Sequence, residues 1–158
     1  LLERAADLTA SAAVALGNGA WLSARHADGR LTNVNQDSDK LLSLAVRRDR
    51  PEILALLLEL GLDPDERHRS SEGDEVAFSA GEPLWYCADS GRYAMAQTLL
   101  EHGADPKANV EASGTPVFIA YGQSDRKMVA LLEQHGGGGR PQCRGLFPRN
   151  RSRGQVTG

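Results

Sequence analysis

Aromatic residues make up only 5% of this 158-residue chain, against 41% apolar residues in all. That composition disfavours a large β core and suits an Ala- and Leu-rich helical assembly. Cysteine is scarcer still. Cys87 and Cys143 are too few and too far apart for a disulfide framework or a metal site, so no oxidising compartment is required and a cytoplasmic location is expected. No uninterrupted apolar run approaches the roughly 18 residues that a membrane span needs. The N-terminus carries Glu3, Arg4 and Asp7 instead of the basic start of a secretory signal, and it begins without Met, which allows for a longer parent chain.

The arrangements that carry catalysis are missing too. The sequence shows no Ser-His-acid or Cys-His set, zinc spacing, dinucleotide loop or close carboxylate pair. His26 has no second ligand at metal spacing and reads as a surface turn residue. Glu72, Asp74 and Glu75 lack the spacing of a calcium loop, and the glycines before Arg140 lack the Lys-Ser/Thr end of a phosphate loop. An enzyme is not expected, and neither is a cofactor or a metal. Basic charge is also in short supply, with 18 Lys and Arg against 21 Asp and Glu. Five of those basic residues are arginines in 136–158, a stretch without acid, so the body before it is the more acidic. Nucleic acid is therefore disfavoured as a partner, except weakly through the basic tail.

What the chain does have is helical punctuation. Residues 82–108 read as two short helices back to back, with Leu84, Tyr86, Cys87 and Ala88 on one apolar stripe, a break at Ser90-Gly91, and a second stripe at Met95, Ala96, Leu99 and Leu100. Gly103-Ala104-Asp105-Pro106 then stops the second helix. Each helix is about ten residues long, too short to persist alone in water, so the unit needs neighbours to cover its stripes. The chain supplies them. Further on, Thr115-Pro116-Val117-Phe118, Ala120-Tyr121, Leu131-Leu132 and Gly136 repeat the frame. Further back, so do Lys40-Leu41-Leu42-Ser43, Ala45-Val46, Ile53, Leu56-Leu57-Leu58 and Gly61-Leu62-Asp63. Cys87 shares a small-residue column with Ala45 and Ala120, which marks it as a buried structural thiol.

In this frame the residues resemble the ankyrin repeat, whose period is about 33 residues. The likeness covers residues 37–137 as three degenerate units, 37–66, 79–109 and 112–137. It implies an all-α ankyrin-repeat solenoid of stacked helix-turn-helix units with short β-hairpin or loop fingers. It also implies a monomeric protein–protein interaction module that holds a protein partner through a concave groove and the fingers. Departures from the pattern carry expectations of their own. Ser43, Trp85 and Phe118 replace the His that ends the family's Thr-Pro-Leu-His start, so its usual hydrogen bonds are expected to be lost and Trp85 to stack on Phe118. Asp49 and Ser124 replace the interhelix Gly and tolerate that turn less well. Modest stability follows.

Residues 1–36 read as an N-terminal capping helix or degenerate repeat plus a connection. Residues 1–22 are expected to be helical up to a stop at Gly17-Asn18-Gly19, in a frame that sets Gly19 under Gly61 of the first clear repeat. Residues 23–36 are expected to form a connection with a turn at Asp28-Gly29. The finger at 64–81 is longer than an ordinary one, and its apolar cluster Val76-Ala77-Phe78 either tucks back or is presented to a partner. Thr115 should cap a helix, and His102 and His135 should close two others. No polar-faced end unit is recognisable after the third repeat. Residues 138–158 read as a Gly/Arg-rich disordered tail, or as a scrambled end.

Partner contacts are expected at the groove-facing ends of the inner helices, at Arg47, Arg48, Asp89, Ser90 and Gln123, and on the fingers at Val76, Phe78 and Glu111. For Arg47 and Arg48 the alternative is that they answer a helix dipole and stay solvated. The alternative for the whole is a regulatory or substrate-docking segment of a larger enzyme.

Overall fold

Thr9 caps the first helix, its hydroxyl accepting the Ala12 amide at 3.2 Å. The computed structural model describes residues 8–31, 40–66, 68–71, 76–110 and 113–138, and in its two strands the backbone alone. After the Thr9 cap, α1 (Ala10–Leu16) runs into Gly17, whose positive φ turns the chain back into α2 (Gly19–Ala27). Three more pairs repeat this plan: α3 (Leu41–Arg47) with α4 (Pro51–Glu59), α5 (Glu82–Ser90) with α6 (Tyr93–Glu101), and α7 (Pro116–Gly122) with α8 (Arg126–Leu132). Between α4 and α5 the long finger is an antiparallel ribbon of β1 (His68–Ser71) and β2 (Val76–Ser79), in register from His68 opposite Ser79 to Ser71 opposite Val76. A π turn, Glu133–Gly137, follows α8.

Two series of left-handed residues set the frame of the units. Gly17, Asp49, Gly91 and Ser124, with φ of 74°, 56°, 65° and 59°, make the turns between paired helices. Gly29, Gly61, Gly103 and Gly136, with φ of 68°, 87°, 91° and 97°, leave the second helix of each pair. In both series the sequence steps are the same. They place Gly17 under Asp49 and Gly29 under Gly61, which corrects the expected frame that set Gly19 under Gly61. Gly17-Asn18-Gly19 is thus the turn inside a unit rather than its end, and Ser23–Ala27 belong to α2 rather than to a connection. His26 is correspondingly a half-buried residue of that helix's last turn. The turn at Asp28-Gly29 is where the sequence puts it. Asp49 and Ser124 do adopt the glycine conformation, at a cost of order ~1 kcal/mol each.

Helices α1, α3, α5 and α7 pack side by side in one row, and α2, α4 and α6 pack in succession in a second. A column of small residues, Ala13, Ala45, Cys87 and Ala120, lies fully buried along the first row. Around it Leu42, Leu54, Leu57, Leu84 and Leu99 are wholly buried, each contributing roughly 1.5–3 kcal/mol over an exposed position. Burial pushes the Cys87 thiol up to about 12, so it acts as a small apolar filler.

The outer units differ in polarity from the middle ones. Arg25 and His26 occupy the columns of Leu57 and Leu58, and Glu133 stands in the column of Leu58 and Leu100. Within the last helix pair Glu133 thus replaces a leucine that is buried in the two preceding pairs. Thr115 caps α7 by accepting the Phe118 amide at 3.3 Å, and the His102 ring nitrogen Nδ1 lies 2.8 Å from the Thr98 carbonyl at the end of α6.

Gly81 joins the long finger to α5, its amide donating to the Asp65 carbonyl at 2.6 Å. Its φ is 84°, and a Cβ there would lie 2.5 Å from Cβ of Ala108. Gly61 has a similar φ of 87° but nothing within 4 Å. Gly81→Ala is expected to lower the urea midpoint by the equivalent of ~1–3 kcal/mol of backbone strain plus the cost of displacing Ala108, and Gly61→Ala by the strain alone. Equal losses in the two variants would show that the Ala108 contact has no energetic weight.

Candidate functional site

The row of inner helices has two edges and a face between them. At the edge formed by the interhelix turns, each unit is tied to the one before it. Arg50 Nη2 donates to the Ala15 carbonyl at 3.0 Å, and Arg92 pairs with the Asp49 carboxylate. Gln123 Nε2 donates to both the carbonyl and the carboxylate of Asp89, at 2.9 and 2.8 Å, and the Tyr93 hydroxyl donates to the Asp125 carboxylate at 2.6 and 2.7 Å. That phenol holds the Asp125 carboxyl below its ordinary value, helped by the Met128 amide, and the Tyr93 hydroxyl is raised in return.

The finger edge is tied as well. Lys40 Nζ meets Glu82 Oε1 at 2.6 Å, and the buried Asp65 carboxylate accepts the Asp105 amide from the next unit at 2.8 Å. Glu66 reaches back to the head of α3, where its carboxylate accepts the Leu42 amide at 2.5 Å, the Ser43 amide at 3.1 Å and the Ser43 hydroxyl at 2.5 Å. Two expectations are corrected here. Ser43 keeps a hydrogen bond in the motif-His column, because a carboxylate from the finger comes to it. Trp85 does not stack on Phe118; its ring meets Tyr86 edge-on at 5.4 Å and its N–H donates to the Ser113 carbonyl of the following finger at 3.3 Å. An indole buried on one side must still satisfy its N–H, and that requirement sets the ring's direction.

The predicted contact residues separate into groups. Arg47 and Arg48 are exposed at the end of α3, and the Arg47 guanidinium carbon lies 5.5 Å from the centroid of the Tyr86 ring. Asp89 and Ser90 are exposed at the end of α5, and the structure brings Asp89 together with Gln123 across the unit boundary. Val76 and Phe78 lie in β2, opposite Ser71 and Arg69 of β1. Glu111 lies outside the described residues, as does the tail from residue 139. Leu44, Tyr86 and Ile119 are half-buried on the same row, in one column, and no expectation named them as contacts. Their recurrence in step with Ala45, Cys87 and Ala120 was visible. The signal lay in large apolar residues recurring beside a core stripe already filled by Leu42, Ala45 and Val46. Elsewhere, a hollow of about 350 Å³ opens on α8, lined by Tyr121, Ser124, Arg126, Val129, Ala130 and Glu133.

A family model described as ankyrin repeats in three copies matches residues 12–110, from within α1 to the end of the third unit's exit. The chain belongs to the ankyrin-repeat family. It is 34% identical over 96 residues to a protein of Treponema pallidum (strain Nichols) described as ankyrin repeat-containing, across 61% of this chain and 30% of that protein. It is 30% identical over 99 residues to the potassium channel KOR2 of Oryza sativa subsp. japonica, across 63% of this chain and 12% of the channel. Rabankyrin-5 of Mus musculus is 31% identical over 98 residues, across 60% of this chain and 8% of that one. The chain therefore spans less than a third of the length of each of these relatives. Among solved structures, the ankyrin repeat domain of Bcl-3 overlays with a TM-score of 0.43 and 21% identity, over 85% of this chain and 74% of that chain. Ankyrin repeats are in general protein–protein interaction modules. Among the described residues no group of His, Cys, Asp or Glu could hold a metal ion, and no helix is long and apolar enough to cross a membrane.

Within this ankyrin stack Glu66 makes stability depend on pH. Burial raises its carboxyl to about 7 from 4.5, against the Ser43 hydroxyl and the two amides, which act to lower it. A carboxyl raised in the folded state contributes stability that is complete below its unfolded value and is lost as pH rises through the folded value. The melting temperature of the wild type, relative to that of Glu66→Gln, is expected to fall between about pH 4.5 and 7. Circular-dichroism melts at half-unit pH steps would show this, and a difference that stays constant over the window would refute it.

Proposed function

We propose that this stack is a non-catalytic protein-binding module whose partner lies along the row of inner helices and reaches the fingers, in the manner the ankyrin resemblance implies for a concave groove. The observation that carries the reading is the column of Leu44, Tyr86 and Ile119. Three successive units each offer a large, half-buried apolar side chain at the same place, beside the exposed polar ends at Arg47, Arg48, Asp89, Ser90 and Gln123. An apolar centre with a polar rim is the usual anatomy of a protein interface. The ties at both edges hold the three units in fixed relation, so a partner would order little of this surface on binding. The finger residues Val76, Phe78 and Glu111 are assigned to the same surface by family analogy. No observation favours the alternative of a docking segment of a larger enzyme over this one.

The test uses peptides selected by display on the whole chain and measured by fluorescence anisotropy. Leu44→Asp with Ile119→Asp is expected to weaken them at least about tenfold, or ~1.4 kcal/mol. Glu52→Gln with Glu59→Gln, exposed on α4, should leave them unchanged, and Val76→Ser with Phe78→Ser reports on the finger. Selected peptides indifferent to the inner-row pair but lost with the α4 pair would overturn the reading.

A further inference from the structure

We propose that the partner segment taken by this row is acidic and extended, with apolar side chains on Leu44, Tyr86 and Ile119 and carboxylates against Arg47 and Arg48; this rests on the binding surface argued above. Several of the charges along the row are already engaged within the stack. The chain as a whole carries a net charge of −3. Along the turn edge, however, the carboxylates are occupied. Asp49 pairs with Arg92, the Asp89 carboxylate accepts one bond from the Gln123 amide, and Asp125 accepts from Tyr93 and from the amides of Lys127 and Met128. Arg50 is held by the Ala15 carbonyl, and at the finger edge Lys40 is held by Glu82. Arg47 and Arg48 remain, exposed and with no carboxylate partner among the described residues. Among the described residues the free charge at the α3 end of the apolar column is therefore positive, on a protein whose overall sign is negative, while Asp89 at the end of α5 keeps its negative charge because its donor is a neutral amide.

Geometry adds direction. The Arg47 guanidinium lies over the Tyr86 ring at 5.5 Å, so the cation is held at the margin of the apolar column, where its fork can meet a carboxylate side-on. Arg47 lies one helical turn after Leu44 on α3, which places both on one side of that helix. Neighbouring helices pack about 8–10 Å apart, and an extended chain advances about 3.3 Å per residue. Side chains about three residues apart in an extended segment therefore fall on successive units, with the acidic residue at the end that meets α3. Phosphate would also satisfy two arginines, but a nucleic acid brings a continuous row of charge against an acidic body and has no use for the apolar column.

The experiment selects a displayed library of random 16-residue peptides on the full chain, in parallel with Arg47→Glu/Arg48→Glu and with Arg126→Glu/Lys127→Glu, a matched charge reversal at exposed positions at the start of α8. The wild type is expected to enrich sequences in which Asp or Glu flanks paired apolar residues. Binding of such a peptide should weaken with salt. The Arg47/Arg48 reversal should shift enrichment to neutral or basic sequences and weaken a wild-type-selected acidic peptide at least about tenfold, while the α8 reversal leaves both readings as they were. Enrichment of neutral or basic sequences by the wild type, still lost with Leu44→Asp, would overturn the acidic assignment and leave the binding surface standing. No enrichment of any class would overturn both. A 20-nucleotide single-stranded DNA that bound through Arg47 and Arg48, with no acidic peptide enriched, would also refute the proposal.

Discussion

The inner helices can approach one another only as closely as the side chains between them allow, and the column Ala13, Ala45, Cys87 and Ala120 sets that distance. A leucine in any of these places would push two units apart and lift the stripes on either side out of contact. Cys87 is the widest member, and as a buried neutral thiol it contributes volume alone. The second row follows from the first, because each helix pair closes through a left-handed turn a few residues after the small position. Helices of seven to nine residues, too short to persist alone, are thereby held by their neighbours.

Close packing of the inner row leaves the rotation between units to be set by polar ties at the two edges. These ties differ at every boundary: an arginine on a carbonyl between the first and second units, an ion pair between the second and third, and an amide and a phenol on two carboxylates between the third and fourth. Such mostly exposed contacts are individually weak. Their consequence is for the surface, since among the described residues they engage several of the charged groups next to the inner row, while Arg47 and Arg48 have no carboxylate partner there. Asp49 serves twice in this way, accepting the strain of a glycine conformation while its carboxylate holds Arg92.

The columns were legible in the sequence because Leu57, Leu99 and Leu132 share a frame with Gly61, Gly103 and Gly136, and one stacking geometry imposes one period. The first unit was misplaced because Gly17 and Gly19 stand on either side of Asn18 and only backbone conformation shows which is left-handed; Gly17 is, while Gly19 begins α2. The bond from Glu66 to Ser43 was illegible for a different reason. It joins distant residues through a finger of unusual length, and no local pattern encodes the return of that carboxylate. The proposed binding surface was read only at its polar rim. Leu44, Tyr86 and Ile119 look like core residues in a helical-stripe reading, whereas the structure leaves them half-buried, packed against a core that other side chains fill.

The apolar column draws one residue from each of three units, and this joins binding to folding. A ligand that spans Leu44, Tyr86 and Ile119 contacts all three only when the boundaries between them are formed, so its binding free energy adds to the stacked state and to no partly separated one. In a quasi-linear stack, where stability is the sum of unit and boundary terms, such a ligand acts as an additional boundary term over the units it crosses. The strained turns at Asp49 and Ser124 weaken the free stack, and they do so within the units such a ligand would bridge.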